Sequence, residues 1–201
     1  MSVSYTQNCK KDFIGDIERS YWQSKKKFDK IIKKSIEKDN LLKSADFDNF
    51  LIINIPVIVG KKTKGIEINK ANFFCHLNSK KIEFDEAVIL KESTVLGIVT
   101  QCPGVGCKYE FNSKSPYIDL HIRPLVRKLT EIRPDIVLSI YHIPNAYWYI
   151  KNGELSVLAF EKDEGLITDI RTYKAEEYIQ SLSEEDVNSF LYFTRTKVIS
   201  Y

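Results

Sequence analysis

Lys151-Asn152-Gly153-Glu154 lies between Tyr147-Trp148-Tyr149-Ile150 and Leu155-Ser156-Val157-Leu158-Ala159-Phe160. Asn-Gly accepts the positive φ angles of a type I′ turn, whose twist matches that of two paired strands. The stretch therefore folds back as a β-hairpin with Asn152 and Gly153 at its tip. That commitment spreads outwards. A polar turn over residues 161–165 sends residues 166–171 back as a further strand, which makes an antiparallel meander. Upstream, residues 136–141 are mostly apolar, as in a strand covered on both faces.

Residues 117–122 alternate. Ile118, Leu120 and Ile122 face one way, and Tyr117, Asp119 and His121 the other, a period of two that predicts a half-buried strand. Pro124 then opens a short helix whose apolar side is Leu125, Val126, Leu129 and Ile132, and Arg133-Pro134 stops it. Strand, helix and strand together predict a small parallel βαβ unit joined to the meander.

Nearer the N-terminus, Ile14, Ile17, Tyr21, Phe28, Ile31 and Ile32 make one apolar stripe, so a long helix is expected from about Asp12 to Lys38. Its acids come early and its lysines late, which complements the helix dipole. Residues 50–59 read as a buried strand with a bend or an edge at Pro56. Residues 66–74 and 82–90 read as two similar strands, 94–100 as another, and 108–115 as a polar connector. Residues 173–182 read as a helix. Ser183 and Asp186 then form a capping box, with Leu182 and Val187 as its staple, opening a last helix that runs to about Phe193. Residues 197–201 are a closing strand or a tail. The sum is a single α+β domain over residues 1–201, with a soft boundary near 112–115. Its sheet is mixed and mainly antiparallel, with a long N-terminal helix and C-terminal helices.

The chain has 201 residues, enough to bury a core, and its apolar and charged fractions, 43% and 28%, are ordinary for a globular protein. The longest apolar run, residues 50–60, is interrupted by Asn54 and Pro56 and is too short to span a bilayer. The first residues lack the charged-then-apolar pattern of a signal peptide. The expectation is a cytoplasmic protein with no membrane partner. Four cysteines, at 9, 75, 102 and 107, are too few and scattered for a disulfide framework and are expected as free thiols.

The net charge of +3 hides an asymmetry. Residues 25–38 carry seven lysines against Asp29 and Glu37, and residues 154–186 carry ten acids against Lys162, Arg171 and Lys174. A basic front and an acidic back orient any charged partner.

Four groups of residues are candidates for chemistry. Cys102 and Cys107 flank Pro103-Gly104, a tight turn that brings two thiols together, and Cys75-His76 would complete a zinc site. The plain alternative is cysteines packed as small hydrophobes. His121 and Asp119, with His142 at the end of the next strand, would form an acid–base cluster if those strands are neighbours. The lysine helix, through Lys26, Lys30 and Lys33, would lie along nucleic-acid phosphate, although a lysine face is commonly just solvated. Tyr147, Trp148 and Tyr149 would present rings at a sheet edge, beside the acids Glu161, Asp163, Glu164, Glu176 and Glu177.

No catalytic constellation is complete. The leading expectation is therefore a non-catalytic protein–protein binding module of inhibitor, immunity or adaptor type, with a basic partner and no cofactor. The alternative is an enzyme or nucleic-acid-processing protein using a histidine and cysteine site, with zinc.

Overall fold

The computed structural model describes residues 3–38, 49–60, 69–101, 109–141, 143, 145–164 and 166–187. Helix α1 (Val3–Glu37) is followed by the strands β1 (Phe50–Gly60), β2 (Leu77–Lys91), β3 (Thr94–Gln101) and β4 (Tyr109–Asn112). Helix α2 (Arg123–Ile132) is followed by β5 (Ile136–Ile140), β6 (Ala146–Lys151), β7 (Glu154–Asp163) and β8 (Leu166–Lys174). Helix α3 (Ala175–Ser181) comes next, and a further helical turn starts after Ser183.

The strands form one eight-stranded sheet in the order β4-β3-β2-β1-β5-β6-β7-β8. Each neighbouring pair is antiparallel except β1 with β5, which is parallel. The fold is thus α+β with a mainly antiparallel sheet. It is built as a helix and a four-stranded meander, twice, joined at the β1–β5 seam.

The two sheet faces bury separate cores. On one lie Phe13, Ile17, Phe28 and Ile32 of α1, with Phe73, Trp148 and Tyr178. On the other lie Leu125, Val126 and Leu129 of α2, with Ile55, Val88, Leu90, Val137 and Tyr149. The stripe read along α1 is the stripe that is buried, because residues three and four apart share one side of a helix.

The hairpin forms as expected: β6 and β7 pair from Lys151↔Glu154 outwards, with Asn152 at φ 52° and Gly153 at φ 73°. The bend at Pro56 is present, and so is the capping box. Ser183 Oγ accepts from Asp186 N at 3.0 Å, and Asp186 Oδ2 accepts from Ser183 N at 3.2 Å.

Five expectations change. Residues 118–122 are helix rather than strand, a π-helical turn (Ile118–Ile122) running straight into α2. Ile118, Ile122, Val126 and Leu129 form one helical stripe that outweighs the short alternation. Arg123 N–H bonds Ile118 O, five residues back, and this widened turn admits Pro124 near the start of α2. The parallel partner of β5 is therefore β1, not residues 117–122. Lys70–His76 is a 3-10 helix capped by Asn69, whose side chain accepts from Ala71 N and Asn72 N, in place of the expected strand. The polar connector holds a short strand, β4. Finally, Cys9 and Cys75 are joined as a disulfide between α1 and the 3-10 helix, so they are not free thiols. Cys102, Cys107, His142, residues 61–68 and residues 188–201 lie outside the described residues.

Candidate functional site

Consecutive residues of a regular strand point to opposite faces of the sheet. At the centre of β2 that rule is broken. The β1–β2 register runs Ile55↔Glu86 and then Val57↔Glu83, so Pro56 opposes both Phe84 and Asp85. This is a β-bulge, the usual way a sheet re-aims a side chain. Past it, Glu86 continues the row of Val88 and Leu90 towards the α2 face. Asp85 reaches the same side, where its Oδ2 accepts from Ser139 Oγ at 3.4 Å, Ser139 following Val137 on β5 by two residues.

Two carboxyl groups are therefore neighbours on one face, in different surroundings. Glu86 is buried, 7% exposed, and its Oε1 accepts from Tyr147 Oη at 3.3 Å. Tyr147 Oη in turn lies 3.0 Å from Tyr117 Oη, on the turn before α2. Asp85 and Ser139 form the solvent side of the group. His121 stacks on Tyr117 with ring centroids 4.7 Å apart, and Phe160 of β7 stacks on Tyr147 at 5.7 Å. The group thus bridges the seam, drawing residues from both meanders and from the segment leading into α2.

Burial, reinforced by the charge of Asp85, pushes the Glu86 carboxyl up to about 7, against the lowering effect of the two tyrosine hydroxyls. Asp85 is raised too, chiefly by desolvation, with the Ser139 hydrogen bond opposing. Tyr117 and Tyr147 are raised by desolvation and by the nearby Glu86 charge, so both stay protonated hydroxyls. None of the ion pairs of the described residues involves Asp85 or Glu86. The arrangement holds one carboxyl that exchanges its proton near neutral pH beside a second at the rim.

Some residues singled out from the sequence join this group and others do not. His121 belongs to it, as a ring packed on Tyr117. Asp119 is exposed and pairs with Arg123 at 2.7 Å, one helical turn on. His76 is buried and Cys75 is bonded to Cys9, which removes Cys75 from the expected zinc set. Among the described residues no group of three His, Cys, Asp or Glu is placed to hold a metal ion.

The aromatic face is not exposed. Trp148 is fully buried, stacked on Phe73 with centroids 6.3 Å apart, and Tyr149 is buried in the α2 core. Tyr147 alone of the three serves the polar group. Glu176 is paired with Lys10 of α1, and Glu177 accepts from Lys174 N at 3.3 Å as a helix cap. Glu161, Asp163 and Glu164 are exposed, as are Lys26, Lys30 and Lys33.

Sequence reading missed Asp85 and Glu86. Their signal was Asp-Glu in mid-strand, in phase with an apolar run, opposite a strand that carries a proline. No family model, curated protein or solved structure matches the chain.

Proposed function

We propose that this protein is an enzyme that uses the Asp85–Glu86 pair for general acid–base chemistry of the hydrolytic kind. The observation that carries this reading is the bulge, which sets a buried carboxyl titrating near 7 beside a second one at the solvent rim. Two carboxyls held in unlike environments divide the roles of acid and base. Protonated Glu86 gives its proton to the departing group, and ionised Asp85 takes one from the attacking water, so that water is added across the bond. Ser139 and Tyr147 orient the two carboxyls, and Tyr117 holds Tyr147.

The test is turnover of chromogenic esters, glycosides and phosphodiesters by the wild type, Glu86→Gln and Asp85→Asn, with folding checked by circular dichroism. A working acid or base contributes about 10²–10⁴-fold, and each variant should lose that much on the substrate the wild type turns over. Full turnover by both variants, or no turnover by the wild type on any of the three classes, overturns the reading.

A second reading, protein binding of inhibitor, immunity or adaptor type, is favoured by one feature. Strand β6 pairs with β7 as far as Ala159, and Phe160 N–H still bonds Asn145 O at 2.9 Å, so Glu161–Asp163 of β7 and the facing part of β8 continue as a two-stranded ribbon. Its end carries Glu161, Asp163 and Glu164 beside Leu166, an exposed apolar residue. A basic partner would meet that end. Reversing Asp163 and Glu164 to lysine should slow association with such a partner, and an unchanged on-rate would remove this reading. A cytoplasmic location, zinc on the Cys102–Cys107 turn and nucleic-acid contact through Lys26, Lys30 and Lys33 are separate proposals. Thiol state in the cell, metal content of the purified protein and salt dependence of binding test them in turn.

A further inference from the structure

The seam between the two meanders is closed at one end only. Strands β1 and β5 are in register at Val57↔Ser139 and Ile58↔Ile140, and Tyr141 N–H bonds Ile58 O at 2.9 Å. Backbone polar groups alternate from side to side along a strand. Ile58 turns its carbonyl to β5, so Pro56, Asn54 and Ile52 turn theirs the same way. Pro56 has no N–H to give, and there the pairing stops. Below it, β1 is paired to β2 alone, and the Ile52 and Asn54 backbone groups on the β5 side have no strand partner among the described residues.

A cavity of about 390 Å³ fills the opening. Ile53 and Asn54 of β1, Val137 of β5, Leu129 and Thr130 of α2, and Tyr21 of α1 line it. Its size falls in the range of small-molecule sites, and its walls are mainly apolar. Asn54 is 3% exposed, and although its side chain bonds the Tyr21 hydroxyl, its Oδ1 has no hydrogen-bond partner. Unpaired polar groups at a buried place are costly unless something meets them. The two charged residues lining the cavity, Arg133 and Asp135, have opposite signs, so the site has no net call for a charged ligand.

We propose that this seam cavity binds a small, uncharged, planar molecule carrying an amide-type edge, with a hydrogen-bond donor beside an acceptor, as in a lactam or a heterocyclic amide. The edge pairs with the open backbone of Ile52 and Asn54 as a strand would, and the apolar body lies against Ile53, Leu129 and Val137. None of Asp85, Glu86, Tyr117, Ser139 and Tyr147 lines the cavity, so this site stands or falls independently of the proposed hydrolysis.

The probes are 2-quinolone and its N-methyl derivative, which keeps the shape and loses the donor. Each is titrated into the whole wild-type protein and followed by backbone amide NMR. The expected result is saturable movement of the Ile52 and Asn54 amides with 2-quinolone, and at least 10-fold weaker binding of the N-methyl compound. A Val137→Phe variant, which fills the cavity, should lose the response while remaining folded by its spectrum. Equal affinity for the two probes overturns the proposal, as does no saturable response to either; Asn54 Oδ1 would then be met from within, by the Tyr21 hydroxyl. An extended pentapeptide that binds where the quinolone does not also overturns it, in favour of strand addition.

Discussion

At the residue scale, Glu86 sets the pH behaviour. Its carboxyl is raised from 4.5 to about 7 on folding, so between those values the folded chain holds a proton that the unfolded chain has released. Stability linked to this group is full below about 4.5, falls as the pH rises, and is gone above about 7. By the linkage relation the loss is on the order of 3 kcal/mol. Glu86→Gln stays neutral and should not suffer it. Urea unfolding at pH 4.5 and pH 7.5 should show the wild type losing stability relative to the variant, and parallel changes in the two would contradict the assignment. The Tyr147 hydroxyl lowers Glu86, so Tyr147→Phe should move the carboxyl titration higher still, as read by carboxyl carbon NMR. A titration that stays in place would detach Tyr147 from the site.

At the scale of elements, local chemistry was legible where few contacts were needed to satisfy it. Asn152-Gly153 makes its turn from backbone preference, Ser183 and Asp186 cap the helical turn that follows them, and α1 follows from its stripe. Residues 117–122 were misread because a six-residue alternation is also half of a helical stripe once Leu125, Val126 and Leu129 are added. Strand β4 carries too few apolar residues to announce itself, and it pairs because β3 offers an edge. That pairing is tight. A Cβ on Gly97 would stand 2.6 Å from Asn112 O and from the Phe111 ring. Gly97→Ala should therefore destabilise by about 1–3 kcal/mol, the usual cost of overpacking. A urea midpoint equal to that of the wild type would mean that β4 yields freely.

At the scale of the whole molecule, the acidic back of the sequence is partly met by lysines from outside the basic front. Lys10 meets Glu176, and Lys70 meets Glu184 at 3.7 Å. The Cys9–Cys75 bond acts over the same distance scale, tying α1 to the 3-10 helix across 66 residues of chain. Loop-closure entropy for a ring of that size stabilises by about 4 kcal/mol. Reduction by dithiothreitol should lower the urea midpoint of the wild type accordingly and leave Cys9→Ser unmoved. A reduced protein as stable as the oxidised one would mean that packing alone holds α1 in place.

Turn chemistry, caps and the apolar periodicity of long segments belong to short stretches of chain, and they followed from residue order. Pairing β1 with β5, setting the helices on opposite faces, and joining Cys9 to Cys75 depend on groups far apart in the chain, so only tertiary packing decided them. The same holds for the candidate site. Asp85 and Glu86 share a face only because Pro56, some thirty residues earlier, stands alone against Phe84 and Asp85, and Glu86 is shifted by a burial, reinforced by the Asp85 charge, that exists only in the packed fold.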